Sequence, residues 1–444
     1  MHQNMREFFK SGKTKSLEFR LSSLKKLKST LKKQESEIYK ALYKDLRKSE
    51  FESYMSELGL VYSELNFAIK NLNSWMKPKR VKTPLMLFSA NSKVVYEPLG
   101  LVLIISPWNY PFNITFISLI GAIAAGNCVL IKPSSKSKAS ANLIAKIINE
   151  TFDNSHVNVV LGSRDENKNL FDTKFDHIFF TGGKSSAKTI LEKTALNLTP
   201  VTLELGGKSP CFIDKNVNLK LAAKRVLFGK ILNAGQTCVA PDYVLVDENV
   251  KDEFISHLRD ELSKFDYKNY PKIINKSEFE RLVSLIDKEK AVIGGEFNES
   301  ENLIYPTILD RVKFSDKIMQ DEIFGPLLPL ITYQNLDDVL QKVANLPKPL
   351  ALYIFSNDKT YQDRVLSQIS SGGVCINDTV MQVSSHYLPF GGVGESGMGK
   401  YHGFYSFKTF SHERAILNRH NFIDLPIRYH PYTKLKANIL KIFL

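Results

Sequence analysis

This 444-residue chain has few features that would suggest disulfides, metals or membranes. Its four cysteines, Cys128, Cys211, Cys238 and Cys375, are widely spread and lack paired ligand spacing, which argues against a disulfide framework and a zinc site. The longest apolar stretch, residues 112–125, is broken by Asn113, Thr115, Ser118 and Gly121 and falls short of the ~20 residues a membrane span needs. The opening residues, Met1-His-Gln-Asn-Met-Arg-Glu, contain no apolar run, so no secretory signal is expected there. There is no internal repeat and no low-complexity linker. Together these absences point to a reducing cytoplasm.

Acidic residues are outnumbered by basic ones, leaving a net charge of +14. Residues 1–50 hold 14 Lys or Arg against 6 Asp or Glu. They interleave with Leu21, Leu24, Leu27, Leu31 and Ile38 at helical spacing, the pattern of a solvated amphipathic face. No nucleic-acid motif accompanies the charge, so no nucleic-acid partner is expected. The segment from Lys434 to Leu444 is basic and apolar. It is expected to pack on the protein or a partner subunit, with at most weak peripheral membrane contact.

What is present is the composition of a globular protein, 43% hydrophobic and 24% charged, in a chain long enough for two or three domains. Residues 5–77 read as two or three helices, and an extended segment follows over 81–97. Beyond it, apolar runs alternate with helical stretches. Strands are expected at 101–105, 128–131, 157–162 and 176–180, with helices at 111–125, 137–151 and 184–196. Such alternation predicts right-handed crossovers and a parallel sheet, with ligands beyond the carboxyl ends of its strands. Asn109, Lys132-Pro133-Ser134 and Thr181-Gly182-Gly183 lie at those ends. A second, less regular α/β region begins near 208 and runs to the glycine-rich stretch 389–400, which suits close backbone approach rather than a regular element.

Cys238 follows an expected amphipathic helix over 218–232 and sits in a polar, glycine-containing loop, a setting in which a thiol can reach a cleft and ionise. Glu204 ends a β-branched run before a glycine pair. A thiolate attacks a carbonyl carbon, and the resulting oxyanion needs donors; the Asn109 amide and the Cys238 backbone N–H are candidates. If the carbonyl is an aldehyde, the adduct carries a hydrogen that can leave as hydride to an oxidised nicotinamide. A thioester remains, which water activated by Glu204 can cleave.

Seven segments in order carry a resemblance: Pro107-Trp-Asn-Tyr-Pro, Gly126-Asn-Cys-Val-Leu-Ile-Lys-Pro-Ser, Phe180-Thr-Gly-Gly, Leu203-Glu-Leu-Gly-Gly-Lys-Ser-Pro, Gly235-Gln-Thr-Cys, Glu322-Ile-Phe-Gly-Pro and Pro389-Phe-Gly-Gly-Val-Gly. Over about residues 10–430 the chain resembles the aldehyde dehydrogenase superfamily. Ser396-Gly-Met-Gly-Lys-Tyr-His-Gly and Ser406-Phe-Lys-Thr-Phe-Ser-His resemble its class 3 branch, which acts on fatty and aromatic aldehydes.

The resemblance implies an α/β fold with a Rossmann-like cofactor domain (1–80 and 100–207) and an α/β catalytic domain (208–403). It further implies a small β-strand oligomerisation arm (81–99 with 404–428), ahead of a tail at 429–444, and a homodimer. It implies Cys238 as nucleophile, Glu204 as the deacylating base and Asn109 as oxyanion donor. NAD or NADP would be held by Lys132 at the adenosine ribose, by Gly182 and Gly183 at the pyrophosphate, by Gly207 beside the nicotinamide, and by Glu322 with Phe324 at the nicotinamide ribose. Tyr110 and Phe390 would wall an apolar aldehyde tunnel. No metal is implied.

Two positions depart from the family pattern. Ser135 stands where a glutamate often binds the ribose hydroxyls and repels a 2′-phosphate, and Lys136 and Lys138 follow it. NADP is therefore expected to compete with NAD. Lys184 and Ala187 replace the residues usual after the glycine pair. The competing readings are a CoA-acylating dehydrogenase, a redox-sensing or binding protein of the same fold, and an esterase using Cys238 alone.

Overall fold

The computed structural model describes residues 2–163 and 165–443. Its architecture is built on two large sheets with a third, three-stranded one beside them and a two-stranded pair, Phe297–Asn298 with Leu303–Ile304. The first sheet has six strands in the order Gly397–Met398, Val201–Glu204, His177–Thr181, Leu101–Ile105, Cys128–Lys132, Val157–Val159. All pairs are parallel except that of Gly397–Met398 with Val201–Glu204. Leu101 to Ile104 and Cys128 to Ile131 are fully buried, as a strand covered on both faces requires. The register pairs Ile105 with Lys132 and with Phe180, and Thr181 with Glu204, so these strand ends share one edge.

The helix Pro111–Ala125 is apolar on nearly every side and is buried between this sheet and the amino-terminal helices. Proline opens it, and Gly126, at φ 92, closes it in the left-handed conformation that glycine favours.

The second sheet runs Ala291–Ile293, Thr307–Leu309, Leu327–Tyr333, Tyr243–Asp247, Pro210–Ile213, Ala351–Phe355, Gly373–Ile376. It is parallel apart from its first strand. The third sheet is antiparallel: Lys79–Val81, Ala90–Pro98 and Ser411–Arg419, the last two paired over nine residues. The short strand Gly397–Met398 returns from the carboxyl-terminal half to cap the first sheet, placing the glycine-rich stretch over the end of Glu204.

Four features differ from the sequence expectation. Residues 2–75 form more than three helices, namely His2–Lys10, Leu17–Lys33, Glu35–Leu46 and the run from Glu50 to Trp75. That run is interrupted by a π-helical turn at Tyr54–Leu58. Arg47, at φ 56, ends the third of these helices without glycine or proline, so no breaker marks the boundary. The strand expected over 157–162 stops at Val159; Gly162 turns into the left-handed region at φ 111, and its carbonyl accepts the Lys132 ammonium instead of a strand neighbour. Residues 404–409, grouped above with the arm, belong to the helix Gly403–Thr409, whose Ser406 packs on Gly121. The extended segment expected over 81–97 is broken by a 3-10 turn at Leu85–Leu87, so its long strand begins only at Ala90. The carboxyl-terminal helix Lys434–Phe443 leaves Leu435 and Ile442 largely exposed, available to a partner subunit as expected.

Candidate active site

The helix Leu219–Ile231, capped by the Asn218 side chain, runs into a left-handed turn in which Asn233 and Ala234 both have φ 52 and Gly235 has φ 72. A Cβ on Gly235 would stand 2.2 Å from the Gly325 carbonyl, so the turn needs glycine there. The Gln236 side chain locks it, donating to the carbonyls of Asn233 and Lys272 and accepting from the Ile274 N–H, each at 3.0 Å. Cys238 follows, at the junction of two cavities and in the wall of both.

The thiol is not held ready as a thiolate, as its polar loop had suggested. Burial pushes it up to about 12, with the Glu322 and Glu204 carboxyl groups adding to the shift; the Cys238 and Val239 backbone N–H groups oppose it. The loop composition is polar, but the loop packs on Gly325 and spends its side chains on Asn109, Lys272 and Ile274, which sequence alone did not reveal.

Glu204 ends its strand beside Thr181, and its backbone carbonyl accepts the Gly182 N–H at 3.1 Å. Its carboxyl group is fully buried, neither oxygen has a protein hydrogen-bond partner, and burial alone raises its pKa well above the usual carboxylate range. A Cβ on Gly391 would lie 3.2 Å from Oε1, so the glycine-rich stretch closes directly on this group. Cys238, Glu204, Thr181 and Leu205 are common to both cavities and form the neck between them.

The larger cavity, about 600 Å³, is a cleft between the two main sheets. On one side lie Gly182, Gly183 and the start of the helix Lys184–Ala195. A Cβ on Gly182 would meet the Phe180 ring at 2.6 Å, whereas Gly183 faces open space, so backbone N–H groups at this helix start stand clear for a phosphate. On the other side Glu322, held up at about 8 by burial and by Asp242, receives the Gly207 N–H. Gly206, which the sequence had not singled out, is the tighter member of its pair. Its Cβ would stand 1.9 Å from a Glu322 oxygen, while one on Gly207 would sit 3.4 Å from Pro349. Phe324, at φ 51, packs edge-on to Trp108 at 5.5 Å. A pyrophosphate-bearing dinucleotide fits these groups, with amides and cations at one end and a carboxyl acceptor at the other.

Lys132 and Ser135 lie outside the cleft lining among the described residues; the Lys132 ammonium donates to the Gly162 carbonyl at 2.9 Å. Lys136 does face the cleft, but it is paired with Glu278 at 3.3 Å, so its charge is partly spent. Lys184 likewise pairs with Glu395 at 2.8 Å.

The smaller cavity, about 210 Å³, is a tunnel walled mainly by apolar side chains, among them Met55, Leu60, Ile114 and Phe228. Tyr110 and Phe390 both line it. The Tyr110 hydroxyl is engaged with Thr237 Oγ1 at 2.6 Å, so the ring presents its carbon face. Phe390 stacks on His402 at 5.2 Å, and burial lowers that imidazole to about 4, leaving it neutral. Met381, in the tunnel wall, and Tyr387, three residues beyond the lining Ser384, are exposed.

Asn109 reaches the neck from the end of Leu101–Ile105. One Nδ2 proton is donated to the Gln236 carbonyl at 2.9 Å, which leaves the other for a ligand oxygen. Its own carbonyl accepts from the Lys48 ammonium at 3.2 Å and from Asn233 Nδ2 at 3.0 Å. Sequence reasoning missed Lys48, Asn233 and Gln236. Lys48 was one lysine among many, and only tertiary placement distinguishes it.

The family model described as the Aldehyde dehydrogenase family matches residues 1–416. The chain is 46% identical to the 4,4'-diaponeurosporen-aldehyde dehydrogenase of Staphylococcus aureus, covering 98% of this chain and 96% of that protein. It is 43% identical to mouse aldehyde dehydrogenase family 3 member B1, over 99% and 95% respectively. Among solved structures it is similar to the substrate-bound state of Staphylococcus aureus AldH, with a TM-score of 0.97, 45% identity, and coverage of 99% and 98%.

Proposed function

The chain belongs to the aldehyde dehydrogenase family, on its class 3-like branch, and oxidises aldehydes with NAD or NADP; we propose that its substrates are medium- to long-chain aliphatic or aromatic aldehydes and that turnover runs through a thioester on Cys238. The observation that carries this reading is the neck, where the only thiol facing either cavity among the described residues meets a buried, unpartnered carboxyl group.

In the proposed cycle the Cys238 sulfur bonds the aldehyde carbon as its thiol proton passes to solvent water. The free Asn109 N–H and the Cys238 backbone N–H hold the oxyanion; one such donor lowers the barrier by ~3–4 kcal/mol. The bound oxidised nicotinamide supplies the hydride acceptor. Gly183 and the following helix start would hold its pyrophosphate and Glu322 its ribose, with Phe324 against Trp108 shaping that end. The carbonyl re-forms as a thioester. Glu204, whose raised pKa makes its ionised form the stronger base, then takes a proton from water attacking that carbon and passes it to the departing sulfur, which releases the acid and restores the thiol.

The substrate class rests on the tunnel, where Tyr110 and Phe390 offer carbon surface and few polar groups face inward. NADP is proposed to compete with NAD because Ser135, although outside the cleft lining, stands where the family often carries a glutamate that repels a 2′-phosphate, while Glu278 limits the gain by holding Lys136. The three-stranded arm, with Leu85, Phe88 and Leu417 exposed, is proposed to pair two copies into a homodimer. No described helix is long and apolar enough to cross a membrane, and residence in the cytoplasm is proposed from the cysteine usage.

An aldehyde panel with both cofactors and no CoA tests the reading. Each added methylene is worth about 0.8 kcal/mol, or about fourfold in kcat/KM, until the tunnel is filled. A preference for short polar aldehydes, or an absolute need for CoA, would refute it.

A further inference from the structure

Beneath the neck lies a buried polar network that the chemistry proposed above does not use. Lys48 and Glu57 are both fully buried and form an ion pair at 2.8 Å. The second Glu57 oxygen accepts the N–H groups of Phe112 at 2.9 Å and Asn113 at 3.0 Å. These are among the unpaired donors at the start of the helix Pro111–Ala125, where the helix dipole also favours a carboxylate. Lys48 donates to the Asn109 carbonyl at 3.2 Å and stands 4.3 Å from the centre of the Tyr110 ring.

The pair therefore grips the end of the five-residue step (106–110) between strand and helix from both sides. One member holds the carbonyl of Asn109 and the other holds the helix that begins at Pro111. Asn233 adds a second tie, donating to the same Asn109 carbonyl and to Gln236 O at 3.2 Å, while the Glu52 carboxyl accepts the Asn233 N–H at 2.7 Å. Glu57 lies in the π-helical turn Tyr54–Leu58. Such turns add a residue to a helix and recur at functional sites. Met55 and Ser56 of the same turn line the tunnel.

We propose that Lys48 and Glu57 are positioning residues for the acylation step: their ion pair fixes the backbone of Asn109 so that its one free amide N–H points at the developing oxyanion. The inference rests on the oxyanion role proposed for Asn109. An ion pair needed only for folding would occupy the same place, so the test separates the two through coupling. Removing one charge alone would leave the other buried and uncompensated. The variant used is therefore K48M/E57Q, which removes both at nearly constant volume, alongside N109A and the triple combination.

The rate of reduced-cofactor formation is measured in a single turnover at saturating NAD, with NAD affinity and the thermal midpoint read in parallel. The expected result is a loss of about tenfold or more in K48M/E57Q with NAD affinity held, a comparable or larger loss in N109A, and almost no further loss in the triple variant. A folded K48M/E57Q variant with the wild-type rate would overturn the proposal. So would a triple variant whose loss is the product of the other two, because the pair would then act independently of Asn109. N109A turning over at the wild-type rate would instead remove the oxyanion role and this inference with it. If K48M/E57Q does not fold, E57D, which keeps the charge and moves it by one methylene, is read by the same criteria.

Discussion

With burial and two neighbouring carboxyl groups holding the Cys238 thiol up at about 12, almost none of it is ionised near neutral pH. A thiolate, not a thiol, reacts with alkylating agents, so the thiolate fraction sets the rate. Inactivation of the cofactor-free protein by iodoacetamide should therefore climb about tenfold per pH unit from pH 7 to 10 without levelling off. A plateau below pH 9 would show a depressed pKa and contradict the burial account. This property was not legible in the sequence. The polar residues Asn233, Gln236 and Thr237 suggested a wet loop, yet each spends its side chain on internal hydrogen bonds and is buried. Gly206 was likewise hidden, since its need for a bare Cα comes from Glu322, far away in the chain.

Among the elements, those with a clear period were the legible ones. The runs 101–105 and 128–131 are continuous and apolar because both faces are covered, and Pro111 and Gly126 bracket their helix with standard start and stop residues. The π-helical turn at Tyr54–Leu58 carries no such mark; its Glu57 meets Lys48 nine residues earlier and, across the fold, the N–H groups of Phe112 and Asn113. The helix Lys276–Val283 reaches the cofactor cleft in the same unannounced way. Its Glu278 holds Lys136 across the cleft with both side chains partly exposed. In E278Q the ammonium is freed for a 2′-phosphate, and kcat/KM with NADP should rise about two- to fivefold over NAD, the scale of a partly solvated ion pair. An unchanged NADP-to-NAD ratio would show that Lys136 does not face that phosphate.

At the scale of the whole molecule, the two large sheets meet at the neck, and the small sheet stands apart from both. Its strands Ala90–Pro98 and Ser411–Arg419 are long and only partly buried, with Leu417 and the nearby Phe88 exposed, two apolar groups that the proposed pairing of two copies would cover. Sedimentation should give a particle of twice 50.4 kDa, and replacing Leu417 and Phe88 with Asp should shift it toward the single-chain mass. A wild-type monomer at micromolar concentration would contradict the homodimer.

The account turns on Cys238 and Glu204 acting in succession, one to take up the aldehyde and the other to release the acid. The most direct measurement is a stopped-flow trace of E204Q with excess aldehyde and NAD, followed by intact-mass analysis. We predict a burst of reduced cofactor of about one equivalent per site, then near-arrest, with the acyl group retained on Cys238 and no burst in C238A. Steady turnover by E204Q at the wild-type rate, with no retained acyl mass, would contradict it.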